Sequence, residues 1–229
     1  MAVAGGEISS KLRAAIGVGE KSMRTRVTVV DLGFGNLKSV VAAFEHLGSV
    51  CRVTSSAIDV ESAETIVLPG VGSFPTAMES MRVRQIDEAI KAASERQQTA
   101  LLGICLGFQM LMSSSTEHGG GAGLGLVEGV VQKFGESSPH HLAETSIGFS
   151  GVAAHPESQL FQGLGAVTDF YFVHAYRAAP QPGIPTPGFA NYGEKYVASF
   201  EAEQVFGVQF HPEKSQTNGL RVLQNFLRV

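Results

Sequence analysis

The chain has 229 residues, with 17 Lys+Arg against 21 Asp+Glu for a formal net charge of −4, and only 2 Cys beside 27 Gly. That length holds one large α/β domain or two small ones, and 44% hydrophobic against 17% charged residues excludes global disorder. Mild acidity argues against a nucleic-acid binder, which needs clustered Lys and Arg, and so few cysteines suit a reducing cytoplasm rather than a disulfide scaffold.

Residues 1–26 alternate Gly, Ser and charge and read as a mobile extension without a signal-peptide core, with Met23 as an alternative start. Residues 27–229 read as one domain. Val27 to Val30 is a β-branched run of the kind buried on both faces of a parallel sheet, followed by a turn and a helix over 36–47. Val50 to Thr54 reads as a strand, and so does Thr65 to Leu68, which Pro69-Gly70 stops. One amphipathic helix is predicted from Pro75 to Glu95, with Arg82 and Arg84 on a mixed solvated face. Ala100 to Met112 is the longest apolar run; it is too short for a membrane span and reads as a buried strand entering a helix. This βαβ alternation predicts an α/β fold with a mostly parallel central sheet and helices on both faces. The later strands, 127–134, 170–176, 196–200 and 205–210, are joined by loops and read as antiparallel additions before a last helix over 217–227.

Two motifs carry chemistry. Gly103-Ile104-Cys105-Leu106-Gly107 has the form of a nucleophile elbow between strand and helix, with a thiol as nucleophile. The helix N-terminus would favour a thiolate, and the Leu106 N–H would point at a developing oxyanion. Gln209-Phe210-His211-Pro212-Glu213 ends the last strong strand, and in an extended segment the His-x-Glu spacing puts both side chains on one side. Glu213 could then hold the His211 imidazole in one tautomer while its other nitrogen faces Cys105. Both motifs fall at the carboxyl edge of the sheet, where open α/β folds bind ligands. Cys51, in a short strand with no such partners, reads as packing.

With Leu68-Pro69-Gly70-Val71-Gly72-Ser73-Phe74, Gly123-Leu124-Gly125-Leu126 and Tyr171-Phe172-Val173-His174-Ala175-Tyr176 added in collinear order, residues 27–229 resemble the class I (triad) glutamine amidotransferases, and among them the glutaminase subunits of imidazole glycerol phosphate synthase. The resemblance implies a flavodoxin-like fold and a Cys105-His211-Glu213 triad hydrolysing L-glutamine. It implies an oxyanion hole from Val71 or Gly72 with Leu106, and substrate contacts from Gln109 and Glu117. It implies a heterodimer with a (β/α)8-barrel cyclase that receives ammonia through a closed channel, with Tyr171, His174 and Lys214 facing that partner. Two departures stand out: Thr145-Ser146-Ile147-Gly148-Phe149-Ser150 replaces the family's common Pro-His-Met-Gly-Trp-Asn, and Ala175 replaces a small hydroxyl residue. They leave open a paralogous glutaminase feeding a sugar amidotransferase, or a non-catalytic partner subunit.

No cofactor is expected. Gly33-Phe34-Gly35 lacks the third glycine of a dinucleotide fingerprint, no phosphate-loop motif is present, and His140-His141 lacks the further ligands of a metal site.

Overall fold

The structure, a computed structural model, describes residues 25–135 and 145–229. The N-terminal extension up to residue 24 and His140-His141 lie outside the described residues. The strands in chain order are β1 (Arg26–Val30), β2 (Val50–Thr54), β3 (Thr65–Gly70), β4 (Ala100–Cys105), β5 (Met112–Ser115), β6 (Gly121–Ala122), β7 (Val127–Lys133), β8 (Ser146–Ala153), β9 (Val167–His174), β10 (Tyr176–Ala178), β11 (Gly188–Asn191), β12 (Lys195–Ala202) and β13 (Val205–Val208). The helices are α1 (Leu37–His46), α2 (Ala57–Glu61), α3 (Phe74–Val83), α4 (Ile86–Glu95), α5 (Leu106–Met110) and α6 (Gln216–Phe226).

Five neighbouring strands, in the order β2-β1-β3-β4-β13, are mutually parallel, and β12 continues the sheet antiparallel to β13. Beyond it follow β10, β7, β5 and β6, while β8, β9 and β11 form an antiparallel branch joined through β12. This is the mostly parallel α/β sheet with antiparallel additions that the sequence predicts.

The period of two along each strand feeds two cores. Ile66, Leu68 and Leu101 face one, against α3 and α4; Val67, Leu102 and Ile104 face the other, against Val40 and Phe44 of α1 and Val222, Leu223 and Phe226 of α6. Each such side chain, fully buried, contributes about 1.5–3 kcal/mol. Helices therefore cover both faces.

The expected single helix over 75–95 is two helices. Gln85 sits in the left-handed region (φ 57°) between α3 and α4. In a straight helix Met81 and Ile86, five residues apart, would point roughly 140° away from each other; the break brings both into the same core. Arg82 and Arg84 do more than face water, donating to the carbonyls of Ala122 and Asp31 at 2.8 and 3.0 Å. The serine-rich patch after Met112 becomes β5, paired with β7 and β6. The helix before it is closed by the Gly-Leu-Gly-Leu run, whose Leu124 N–H donates to Met110 and Leu126 N–H to Leu111. A Cβ on Gly123 would lie 2.1 Å from the Met112 carbonyl oxygen, so only glycine fits there. The expected strand over 170–176 breaks at Ala175 into β9 and β10, and β8 and β11 were not expected.

Candidate active site

The register puts the chemistry on one edge. Gly70 lies opposite Cys105 across β3 and β4, and Ile104 lies opposite Val208 across β4 and β13. Three residues past Val208 the chain presents His211. Cys105 takes φ 55°, ψ −106°, a conformation that side-chain-bearing residues rarely adopt, at the sharp turn into α5. Both flanking glycines are obligatory. A Cβ on Gly103 would come within 2.6 Å of the Leu111 side chain, and one on Gly107 within 1.7 Å of the Leu68 carbonyl oxygen. The elbow is therefore what the spacing predicts. The helix behind it has only five residues, so its help to an anion comes from first-turn N–H groups rather than a long macrodipole.

His211 meets Glu213 differently from the expectation. The pair is not an extended His-x-Glu segment: His211 is extended, but Pro212–Lys214 forms a single 3₁₀ turn. That turn folds the carboxylate back onto the ring, with Oε1 2.9 Å from Nδ1 and both side chains only 3% exposed. Nδ1–H donates to Glu213, and the buried Nε2 has no aligned hydrogen-bond partner among the described residues. Burial alone would lower the imidazole's pKa, but hydrogen bonding and charge from Cys105 and Glu213 outweigh it and raise it to about 10. Cys105 is thus within interacting range of the ring that would take its proton. Burial and then Glu45 push the thiol of half-buried Cys51 up to about 11.

A cavity of about 270 Å³ opens over Cys105, lined by Val71, Gly72, Leu106, Gln109, Glu117 and the 173–176 segment, with Thr145 beside it. All five residues expected at the oxyanion hole and substrate end thus surround one space with the thiol. Glu117 is buried, and its Oε2 accepts from the Phe74 N–H at the start of α3, at 3.0 Å. Gln109 Nε2 donates to the Tyr176 carbonyl and to Gln209 Oε1 at 2.9 and 3.0 Å. Ala175 lines the cavity, its carbonyl already accepting from the Phe134 N–H.

The three residues expected at a partner face separate. Tyr171 and Lys214 share a rim, with the Lys214 ammonium 5.7 Å over the Tyr171 ring and the Phe149 ring 5.6 Å away. His174 does not join them. Three residues apart on β9, it faces the opposite side of the strand from Tyr171, because side chains alternate. It is 6% exposed, packed among Phe134, Phe172 and Tyr196, and burial, less a partial offset from its bond to the Tyr176 carbonyl, lowers its pKa to about 4. Thr145, Val173 and Tyr176 at the cavity, and Gln209 against Cys105, were not expected; Gln209 lay in plain view at the head of the Gln-Phe-His-Pro-Glu motif.

The family model for class-I glutamine amidotransferases matches residues 28–229. Among curated relatives, the imidazole glycerol phosphate synthase subunit HisH of Moorella thermoacetica is 40% identical over 87% of this chain and 93% of its own. HisH 1 of Campylobacter jejuni is 37% identical over 89% and 100%. Among solved structures, a glutamine amidotransferase shares the fold with a TM-score of 0.67 at 22% identity, covering 88% of this chain and 97% of that one. A glutamine amidotransferase from Thermotoga maritima superposes with 0.57 at 16% identity, covering 83% and 76%. A strained thiol elbow, a carboxylate-held imidazole and a match over nearly the whole described sheet lead to one assignment: the chain belongs to the class-I glutamine amidotransferase family.

Proposed function

We propose that the protein is the glutaminase subunit of an imidazole glycerol phosphate synthase, hydrolysing L-glutamine through Cys105, His211 and Glu213. The observation that carries the chemistry is the Glu213–His211 bond of 2.9 Å, which leaves Nε2 for Cys105, the ring's other interacting neighbour, whose thiol lines the cavity. The pathway reading is supported by relatives at 37–40% identity that carry the HisH name.

The Cys105 sulfur attacks the glutamine side-chain carbonyl carbon, its proton residing on His211 Nε2. The oxyanion accepts from the Leu106 N–H and from Val71 or Gly72. As the tetrahedral species collapses, Nε2 gives its proton to the departing nitrogen and ammonia leaves a γ-glutamyl thioester. Water then attacks that carbonyl while Nε2 takes its proton, and the proton passes to sulfur as glutamate departs. Gln109 and Glu117 hold the amino-acid end. Glu213 keeps Nδ1 protonated, so Nε2 remains the working nitrogen throughout.

Ammonia reaching neutral water would be protonated and lose its nucleophilicity, so delivery to a second protein fits the reaction. The partner in this reading is a (β/α)8 cyclase forming a heterodimer and converting the ammonia into imidazole glycerol phosphate and AICAR. Ile147 and Phe149, exposed at 67 and 54%, lie on β8 opposite Val173 and Tyr171 of β9 and offer it an apolar face. A small cavity of about 20 Å³ lined by His211, Glu213 and Lys214 lies toward that rim. The second reading, a glutaminase for a sugar amidotransferase, is favoured only by Phe149 and its neighbours departing from the usual segment.

The test is glutamate release by the chain together with the synthase that co-purifies from its host. Wild type should release glutamate and Cys105→Ala none; release by Cys105→Ala overturns the mechanism, and a co-purifying sugar amidotransferase overturns the pathway.

A further inference from the structure

The carbonyl oxygen of Tyr176 can only accept hydrogen bonds, and two side-chain nitrogens converge on it: Gln109 Nε2 at 2.9 Å and His174 Nδ1 at 2.8 Å. Both must therefore present N–H groups. The second N–H of Gln109 reaches Gln209 at 3.0 Å, so the atom it meets is the Gln209 carbonyl oxygen, Oε1. That leaves the Gln209 amide nitrogen turned to Cys105, 3.8 Å from Sγ. One backbone carbonyl thus fixes a His tautomer and the polarity of two amides in succession. Reversing Gln209 would set two NH₂ groups against each other and a carbonyl oxygen against the sulfur. Gln209 is fully buried and Gln109 is 4% exposed, so water could not relieve the clash.

We propose that Gln209 is a positioning residue for the nucleophile, its amide N–H donating to Cys105 Sγ and favouring the thiolate over the thiol. This rests on Cys105 being the nucleophile. A hydrogen bond to the charged form stabilises that form, and in a buried site the effect is little screened. On another side of the sulfur the Val173 carbonyl lies 4.0 Å away and can accept only from the thiol, so Sγ sits between one donor and one acceptor. The titratable groups around it are His211, backed by Glu213, and Glu117, His174 and Tyr176 around the cavity. Gln209 adds an uncharged N–H that keeps its direction at any pH. Its second effect is on Gln109. With both N–H groups of Gln109 spent on Tyr176 and Gln209, its Oε1 remains as the acceptor for a substrate ammonium in the cavity.

The experiment is the pH dependence of iodoacetamide alkylation at Cys105 in the full chain, followed by peptide mass mapping for wild type, Gln209→Glu and Gln209→Met, with thermal melts to establish folding. Gln209→Glu keeps an acceptor for Gln109 and removes the amide donor; Gln209→Met removes both and cannot titrate. Both variants should move the alkylation midpoint up by about one pH unit, a tenfold loss of thiolate at any pH well below the wild-type midpoint. Only Gln209→Met should also raise the glutamine concentration that half-protects Cys105. A packing role lowers the melting temperature without moving the midpoint, so a folded variant whose profile superposes on wild type overturns the proposal. Cys105→Ala separates the layers: glutamate release by that variant removes the nucleophile itself, whereas a dead Cys105→Ala with an unmoved Gln209 profile removes only the relay.

Discussion

The backbone N–H of His211 donates to the carbonyl oxygen of Tyr171 at 2.8 Å, tying the base to a strand whose side chain stands on the rim. Ser215 closes the same clasp: its hydroxyl accepts from the Tyr171 N–H at 2.9 Å and donates to the His211 carbonyl at 2.6 Å. The position of His211 is thus set by β9 and by the turn together.

Ser215→Ala removes both bonds and leaves the Tyr171 N–H without its acceptor, while the His211 carbonyl keeps the Lys214 N–H at 3.0 Å. The expected cost is about 1–3 kcal/mol of stability, with a fall in glutamine turnover. Urea titration and glutamate release check the two effects. A variant as active and stable as wild type would show that the clasp does not hold the base.

Glu213→Gln should lower glutamine hydrolysis on the order of 100-fold, because the amide no longer stabilises the imidazolium. A pH signature accompanies it. His211 has a folded pKa of about 10 against an ordinary 6.5, so its contribution to stability is complete below 6.5 and is lost as pH rises through about 10. In the variant this alkaline decline should flatten, as read from urea midpoints between pH 6.5 and 10.

His174 gives the opposite sign. Its folded pKa of about 4 lies below 6.5, so the unfolded chain binds the extra proton and stability falls as pH drops from 6.5 toward 4, by at most about 1.4 kcal/mol per pH unit. His174→Phe, a ring among the rings of Phe134, Phe172 and Tyr196, should remove that acid slope. Thermal melts from pH 4 to 7 decide it.

Gly107→Ala should cost about 3 kcal/mol or more, since the new methyl would overlap the Leu68 carbonyl oxygen of a buried strand. Because α5 would have to leave β3, iodoacetamide should also reach Cys105 at a changed rate. Stability close to wild type would mean that the elbow yields where its packing says it cannot.

What the sequence made legible was whatever repeats with the period of its element or needs a glycine. The β-branched run of β1, the stop at Pro69-Gly70 and the elbow could all be read locally. What escaped was decided by tertiary contact. Gln85 takes a left-handed conformation so that Met81 and Ile86 share one core, and Ser113–Ser115 becomes a strand because β7 supplies its partners. In the site, the type of chemistry was legible and its orientation only partly so. Glu213 meets His211 through a 3₁₀ turn and not through strand alternation, while alternation, applied to β9, is what separates His174 from Tyr171.

The placement of β13 bears on how the molecule is made. Residues 205–208 fill the gap between β4 and β12, so the middle of the sheet is completed by a segment that leaves the ribosome about a hundred residues after β4. Until then the hydrogen-bonding edge of β4 that β13 will cover is open, a template for pairing with other chains and a source of slow, non-local folding. The same segment brings His211. The nascent protein therefore carries its thiol for about a hundred residues of synthesis without its base, and gains that base in the step that seals the sheet.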